Sequence, residues 1–157
     1  MKKKDILLRS MLFVPTYKEK FIKKALTTNA DALVLDIEDS IPDPFKSKAR
    51  ENIQVFLEKG VFKNIQTYIR LNPLESNLLF EDLKYVIHED INGFMLTKIY
   101  NKGDMLFYDK LFSQIENENN FEDGMFKFTP LIETTSSIVN IHEIATSTER
   151  NVALTFG

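Results

Sequence analysis

The stretch ALVLDIEDS, residues 32–40, decides how this chain folds. Its first half, Ala32-Leu33-Val34-Leu35, is an unbroken apolar run of the kind found in a strand buried on both faces. Asp36, Glu38, Asp39 and Ser40 follow at once, with only Ile37 among them. Burying an unpaired charge is so costly that such residues belong at a strand's mouth, where they are paired, solvated or holding a cation.

The same pattern recurs in both directions along the chain. Met11 to Val14 reads as a strand stopped by Pro15, and residues 17–28 as a helix with Phe21, Ile22, Ala25 and Leu26 on one face. Residues 32–38 form the second strand, and 44–59 the second helix, with Pro44 in its first turn and Gly60 as its stop. Strands over 66–72, 93–98, 126–133 and 152–156 alternate with helices over 78–88, 103–117 and 135–146. The polar run 117–124 reads as a surface loop. Strands alternating with helices imply parallel pairing through right-handed crossovers and hence an α/β fold. An open doubly wound sheet and a TIM-type barrel both satisfy that alternation. A barrel needs eight units and about 250 residues, so a length of 157 favours the open sheet.

Composition narrows the function classes. The chain is 43% hydrophobic and 27% charged, ordinary for one soluble domain with a sizeable core. Net charge is -3 with scattered Lys and Arg, so nothing resembles a nucleic-acid footprint. No apolar run reaches the length of about 20 residues that spans a bilayer, and the stretch after Lys2-Lys3-Lys4 is too short for a signal peptide. The absence of cysteine excludes disulfides and thiolate metal sites and favours a cytoplasmic setting. Glycine-rich phosphate loops, a G-x-S-x-G elbow and H-E-x-x-H are missing, and the 13 phenylalanines read as core.

Ligands bind at the carboxyl ends of parallel strands in either architecture. There the second strand delivers Asp36 and Glu38, the third Arg70 and Asn72, the fourth Lys98 and the fifth Glu133. A single charge at a strand end is usually just where the chain meets water; its repetition on four consecutive strands points to a site. Carboxylates without Cys or a His cluster suit a hard cation, Mg²⁺ or Mn²⁺. Arg70 offers a planar fork for a carboxylate and Lys98 a point charge. His88 and His142 lie away from the strand ends and read as helix residues.

Residues 9–15 (RSMLFVP), 30–40 (ADALVLDIEDS), 48–50 (KAR), 69–72 (IRLN), 95–98 (MLTK) and 131–134 (LIET) together closely resemble the citrate lyase beta subunit and its relatives, the HpcH/HpaI-type aldolases. The resemblance runs through nearly the whole chain, and residues 153–157 resemble the start of the family's G-A-E-D segment. It implies an incomplete TIM-type (β/α)8 barrel of about six parallel strands and five helices, a single partial domain over 1–157 lying before the last strands. It also implies a Mg²⁺-dependent lyase cleaving a carbon–carbon bond in a citryl, malyl or related 3-hydroxyacyl thioester carried by CoA or an acyl-carrier protein. By matched position, Glu133 is the metal ligand, Arg70 steadies the oxyacid and the developing enolate with Asn72 beside it, and Lys98 belongs to the catalytic wall. Asp36 and Glu38 are supporting carboxylates, and Thr16 and Lys18 lie in the loop that approaches the acyl carrier. Thr16 stands where relatives usually have Gly, and Thr97 where they usually have Pro. The resemblance places the second metal carboxylate just after Gly157, so the 157 residues are expected to act poorly alone and to associate as a homo-oligomer or within a lyase complex. Two alternatives stay open: a non-catalytic assembly partner of a lyase complex, and an unrelated open-sheet domain with merely solvated strand ends.

Overall fold

The computed structural model describes residues 7–157; the Lys2–Lys4 run lies outside the described residues. Six strands follow one another: β1 Met11–Pro15, β2 Ala32–Asp36, β3 Gln66–Arg70, β4 Gly93–Leu96, β5 Lys127–Ile132 and β6 Thr155–Phe156. Between them run α1 Glu19–Ala25, α2 Lys46–Glu58, α3 Leu79–Val86, α4 Lys102–Glu118, α5 Thr135–Val139 and α6 Ile141–Ala145, with short 3₁₀ turns at Asp43–Phe45 and Leu74–Ser76. No helix among the described residues is long and apolar enough to cross a membrane.

Strand order settles the architecture. The sheet runs β1-β2-β3-β4-β5-β6, every pairing parallel. A doubly wound sheet reverses its order at a switch point, and here there is no reversal. The open doubly wound sheet favoured by length is therefore replaced by an incomplete TIM-type barrel, an arc of consecutive β/α units. Length was a poor guide because it limits how many units are present and not the direction in which each is added.

The two faces of the arc bury different side chains, as the strand period of two requires. Leu33, Leu35, Ile69, Phe94, Leu96, Phe128 and Ile132 point outward into the large core beneath the helices. Ala32, Val34, Tyr68, Met95 and Leu131 point inward and pack on one another as a smaller cluster. Phe112 of α4 sits against Phe94 at 4.6 Å and Phe128 at 5.2 Å between ring centroids, so these phenylalanines are core as expected, whereas Phe13, Phe45, Phe80, Phe107 and Phe156 are exposed. Gly93 permits the β4–β5 approach, because a Cβ there would lie 2.1 Å from the Lys127 carbonyl oxygen.

Element ends moved modestly from expectation. The segment expected as one helix over 135–146 breaks at Asn140 into α5 and α6. Asn140 leaves helical angles at ψ 14° and donates its side-chain amide to the Tyr100 carbonyl at 2.9 Å, an anchor that competes with continuing the helix. Among the described residues six α-helices therefore replace the expected five.

Candidate functional site

The β2 and β3 ends meet in a closed ion set. Asp36 pairs directly with Arg70 in the sheet register, and the guanidinium grips it bidentately, Nε to Oδ1 at 2.8 Å and Nη2 to Oδ2. Backbone amides complete the carboxylate, from Glu38 to Oδ1 at 2.8 Å and from Ser40 to Oδ2 at 3.3 Å. Burial pushes the Asp36 carboxyl toward neutrality, but Arg70 and these donors outweigh it and hold its pKa below the ordinary value. Glu38 continues the set, with Oε2 3.4 Å from Arg70 Nη1 and accepting from the Asp39 amide at 2.8 Å. Burial dominates there and pushes the Glu38 carboxyl up to about 7. The Phe13 ring lies 5.1 Å from the guanidinium carbon, so Arg70 is held along its edge and over its face.

The β4 and β5 ends meet more loosely. The Lys98 backbone amide donates to Glu133 Oε1 at 2.9 Å, and Lys98 Nζ lies 3.3 Å from the same oxygen. Lys98 achieves this with a left-handed backbone, φ 51°, a conformation that costs a non-glycine residue about 1 kcal/mol or more. Just before it, the Thr97 hydroxyl is anchored on the Leu71 carbonyl at 3.1 Å. Just after Glu133, Thr134 caps α5 through a reciprocal pair with Ser137. The Lys98 side chain is 35% exposed, against 13% for Arg70.

The remaining expected residues have framework contacts. Thr16 is fully buried and its hydroxyl donates to the Asp36 carbonyl at 2.8 Å, while Asn52 donates to the Thr16 carbonyl at 2.8 Å. The Thr16 side chain thus faces the fold. Asn72 is buried too, donating to the Ile37 carbonyl and to Asp82, each at 2.8 Å. Lys18 is exposed at the start of α1, its ammonium 4.9 Å from the Tyr17 ring centre. His88 lies past the end of α3, and its Nδ1 accepts from the Asp90 amide at 3.1 Å. His142 lies on α6.

Three residues behind the site were given no role from sequence, although Arg50 lies in the 48–50 motif. Lys46 Nζ reaches three acceptors: the Ile37 carbonyl at 3.1 Å, the Glu38 carbonyl at 2.6 Å and Asn72 Oδ1 at 2.8 Å. Asp82 accepts from Asn72 and, at 2.7 Å, from Arg50 Nε, and all three side chains are buried. A signal existed: Arg50 sits between Ala49 and Ile53, and Asp82 between Leu79 and Leu83, so each charge falls on an apolar helix stripe.

The donor set can be tested against a hard cation. Among the described residues no three His, Cys, Asp or Glu side chains gather into a metal cluster. Both Asp36 oxygens are used by Arg70 and amides, which suits that carboxylate to orienting the arginine rather than binding a metal directly. Glu133, with both of its contacts on Oε1, fits as one carboxylate ligand. Mg²⁺ is commonly held by one or two carboxylates and completes its shell with water or substrate oxygens.

Residues 9–157 match the family model of HpcH/HpaI aldolase/citrate lyase. Citrate lyase subunit beta of Escherichia coli K12 is 31% identical over 149 residues, which cover 95% of this chain and 49% of that protein. The corresponding subunit of Haemophilus influenzae is 28% identical, covering 95% and 51%. Human mitochondrial citramalyl-CoA lyase is 29% identical, covering 89% and 42%. The chain thus spans about half the length of the curated relatives it matches. In fold it resembles Haloferax volcanii malate synthase, solved with magnesium and glyoxylate, with TM-score 0.84 at 19% identity, covering 99% of this chain and 53% of that one. It also resembles CitE of Mycobacterium tuberculosis, solved with magnesium, acetoacetate and coenzyme A, with TM-score 0.70 at 21% identity, covering 96% and 50%.

Proposed function

The chain belongs to the HpcH/HpaI aldolase/citrate lyase family, and from that premise we propose that it supplies the oxyacid-binding half of a Mg²⁺-dependent lyase that cleaves a citryl, citramalyl or malyl thioester. The observation that carries this reading is the Arg70 guanidinium, locked bidentately to Asp36 and stacked on Phe13 at the mouth of the sheet. A guanidinium fixed in this way presents its remaining Nη hydrogens to an incoming carboxylate with no loss of side-chain freedom on binding. As the carbon–carbon bond breaks, charge grows on the enolate oxygen, and a prepositioned cation there lowers the barrier without reorganisation. Glu133 would hold the cation, whose contribution is to polarise the oxyacid oxygens. Lys98, beside Glu133 and partly exposed, supplies a second positive charge at the same rim. Lys18 and the Tyr17 ring stand on the loop after β1, where the thioester's carrier would approach.

The test is release of acetyl-CoA from citryl-, citramalyl- and malyl-CoA by the purified protein, with Mg²⁺ and after chelation. Slow cleavage of one of them that requires Mg²⁺ and is lost in Arg70→Lys is expected of this half of the site; cleavage indifferent to both changes, or none, overturns the reading. A second reading, a non-catalytic partner within a lyase assembly, is favoured by the apolar side chains exposed on the two outer strands, Leu12 and Phe13 on β1 and Phe156 on β6. Its signature is a stable homo-oligomer or mixed complex whose formation ignores Mg²⁺ and whose carbon–carbon lyase activity is nil.

A further inference from the structure

Lys46 occupies a position that ordinary helix electrostatics disfavour. It is the first residue of α2, at the positive end of the helix dipole, where acidic side chains are preferred. Its ammonium is only partly exposed and carries three hydrogen bonds, the full donor capacity of a lysine. Two of the acceptors are successive main-chain carbonyls, of Ile37 and Glu38. These belong to the turn whose amides and side chains make the ion set: Glu38 N and Ser40 N bond Asp36, and Glu38 Oε2 faces Arg70. The third acceptor, Asn72 Oδ1, ties the ammonium to the end of β3, because the Asn72 amide nitrogen bonds both the Ile37 carbonyl and Asp82. Asp82 is in turn gripped by Arg50 of α2. Behind the carboxylates, one ammonium therefore joins β2, β3 and α2.

We propose that Lys46 is a positioning residue for Arg70: by pinning the Ile37 and Glu38 carbonyls it fixes the turn that holds Asp36 and Glu38 against the guanidinium, without itself touching substrate. The role as a catalytic aid rests on the lyase reading above, whereas the clamp does not. With its three donors engaged, Lys46 has no hydrogen to offer a ligand. Its burial lowers its pKa, and Glu38, Asp82, Asp36 and Asp43 around it oppose that shift. An apolar replacement of similar length should leave the Ile37 carbonyl to Asn72 and the Glu38 carbonyl to the Ile41 amide alone, and let the turn drift.

The measurement is hydrogen exchange at the Arg70 Nε–H, resolved by NMR in the intact chain, for wild type and Lys46→Met. The Nε–H of Arg150, bonded to Asp109 far from the turn, is the internal control. Expected is at least a tenfold faster exchange at Arg70 with Arg150 unchanged. Where a thioester is cleaved, kcat should fall at least tenfold with KM moved less than threefold. Should Lys46→Met not fold, Lys46→Arg serves, since a planar guanidinium keeps the charge but cannot match three acceptors spread around an ammonium; an Arg70 exchange rate at least threefold above the wild type's, with Arg150 unchanged, is expected. Exchange at Arg70 unchanged in a folded variant, or accelerated equally at Arg150, overturns the proposal. Loosening of Arg70 in a protein whose wild type cleaves no thioester keeps the clamp and rejects the lyase reading.

Discussion

Two corners of the same sheet edge hold oppositely charged pairs and treat them differently. At the β2–β3 corner, Asp36 is completely enclosed, its oxygens filled by a bidentate arginine and two amides. At the β4–β5 corner, Lys98 and Glu133 share a single ammonium contact at 3.3 Å, and the lysine is one-third exposed on a left-handed backbone. The first corner is finished before any ligand arrives. The second has contacts that a cation or an oxyanion can exchange with little rearrangement. An enclosed pair is costly to break and is suited to orientation; an open pair contributes little to stability and is suited to turnover of partners.

The sharpest way to break this contrast is to remove Arg70. Arg70→Met leaves Asp36 buried without its partner, and urea denaturation should show a loss of about 3–5 kcal/mol, the usual cost of one orphaned buried ion. Next in size is a pH effect. Glu38, pushed from its ordinary 4.5 up to about 7, keeps its proton in the folded chain across that window while the unfolded chain loses it. Stability should therefore fall as pH rises from 4.5 toward 7, by on the order of 1–3 kcal/mol, and Glu38→Gln should flatten the slope; a wild-type profile rising across that window contradicts the assignment. At the open corner, Glu133→Gln should change stability by less than about 1 kcal/mol, yet weaken Mn²⁺ binding, followed by electron paramagnetic resonance, about tenfold or more. Smallest, and opposite in sign, Lys98→Gly should stabilise by up to about 1 kcal/mol by relieving the left-handed backbone, even as the rim loses its charge.

Much of the fold was legible because apolar runs and their punctuation report local structure. All six strands appear where the pattern puts them but shorter than expected after β1: β2, β3 and β4 end at Asp36, Arg70 and Leu96 rather than 38, 72 and 98, β5 spans Lys127–Ile132 rather than 126–133, and β6 begins at Thr155 rather than 152. The direction in which units add was not legible from β-α-β alternation, which is common to wound sheets and barrels; the family resemblance implied a barrel, and the pairing Leu35↔Ile69, then Ile69↔Phe94, shows the unreversed order. At the site, strand ends announced Asp36, Arg70, Lys98 and Glu133, because each follows an apolar run. Lys46, Arg50 and Asp82 were invisible to that rule, being helical residues whose partners lie on other elements, as in the pairs Lys46–Asn72 and Arg50–Asp82. Thr16 and Asn72 illustrate the reverse limit. Position on the rim was legible, but the direction of the side chain, which sends both inward to carbonyls and carboxylates, depends on helices packed from elsewhere.

The unreversed strand order also bears on how the molecule acquires its shape. Among the described residues each strand pairs only with its neighbours in sequence, so β2 to β5 complete their hydrogen bonds without waiting for a distant segment. Loops closed in succession are short, which keeps the entropy of each closure small. A ribosome releasing the chain from its amino end would expose β1 and α1, then β2 as their neighbour, and the structure could consolidate strand by strand during synthesis. The Asp36–Arg70 pair, complete once β3 has emerged, would then be an early lock in the folding of the protein as well as the centre of its rim.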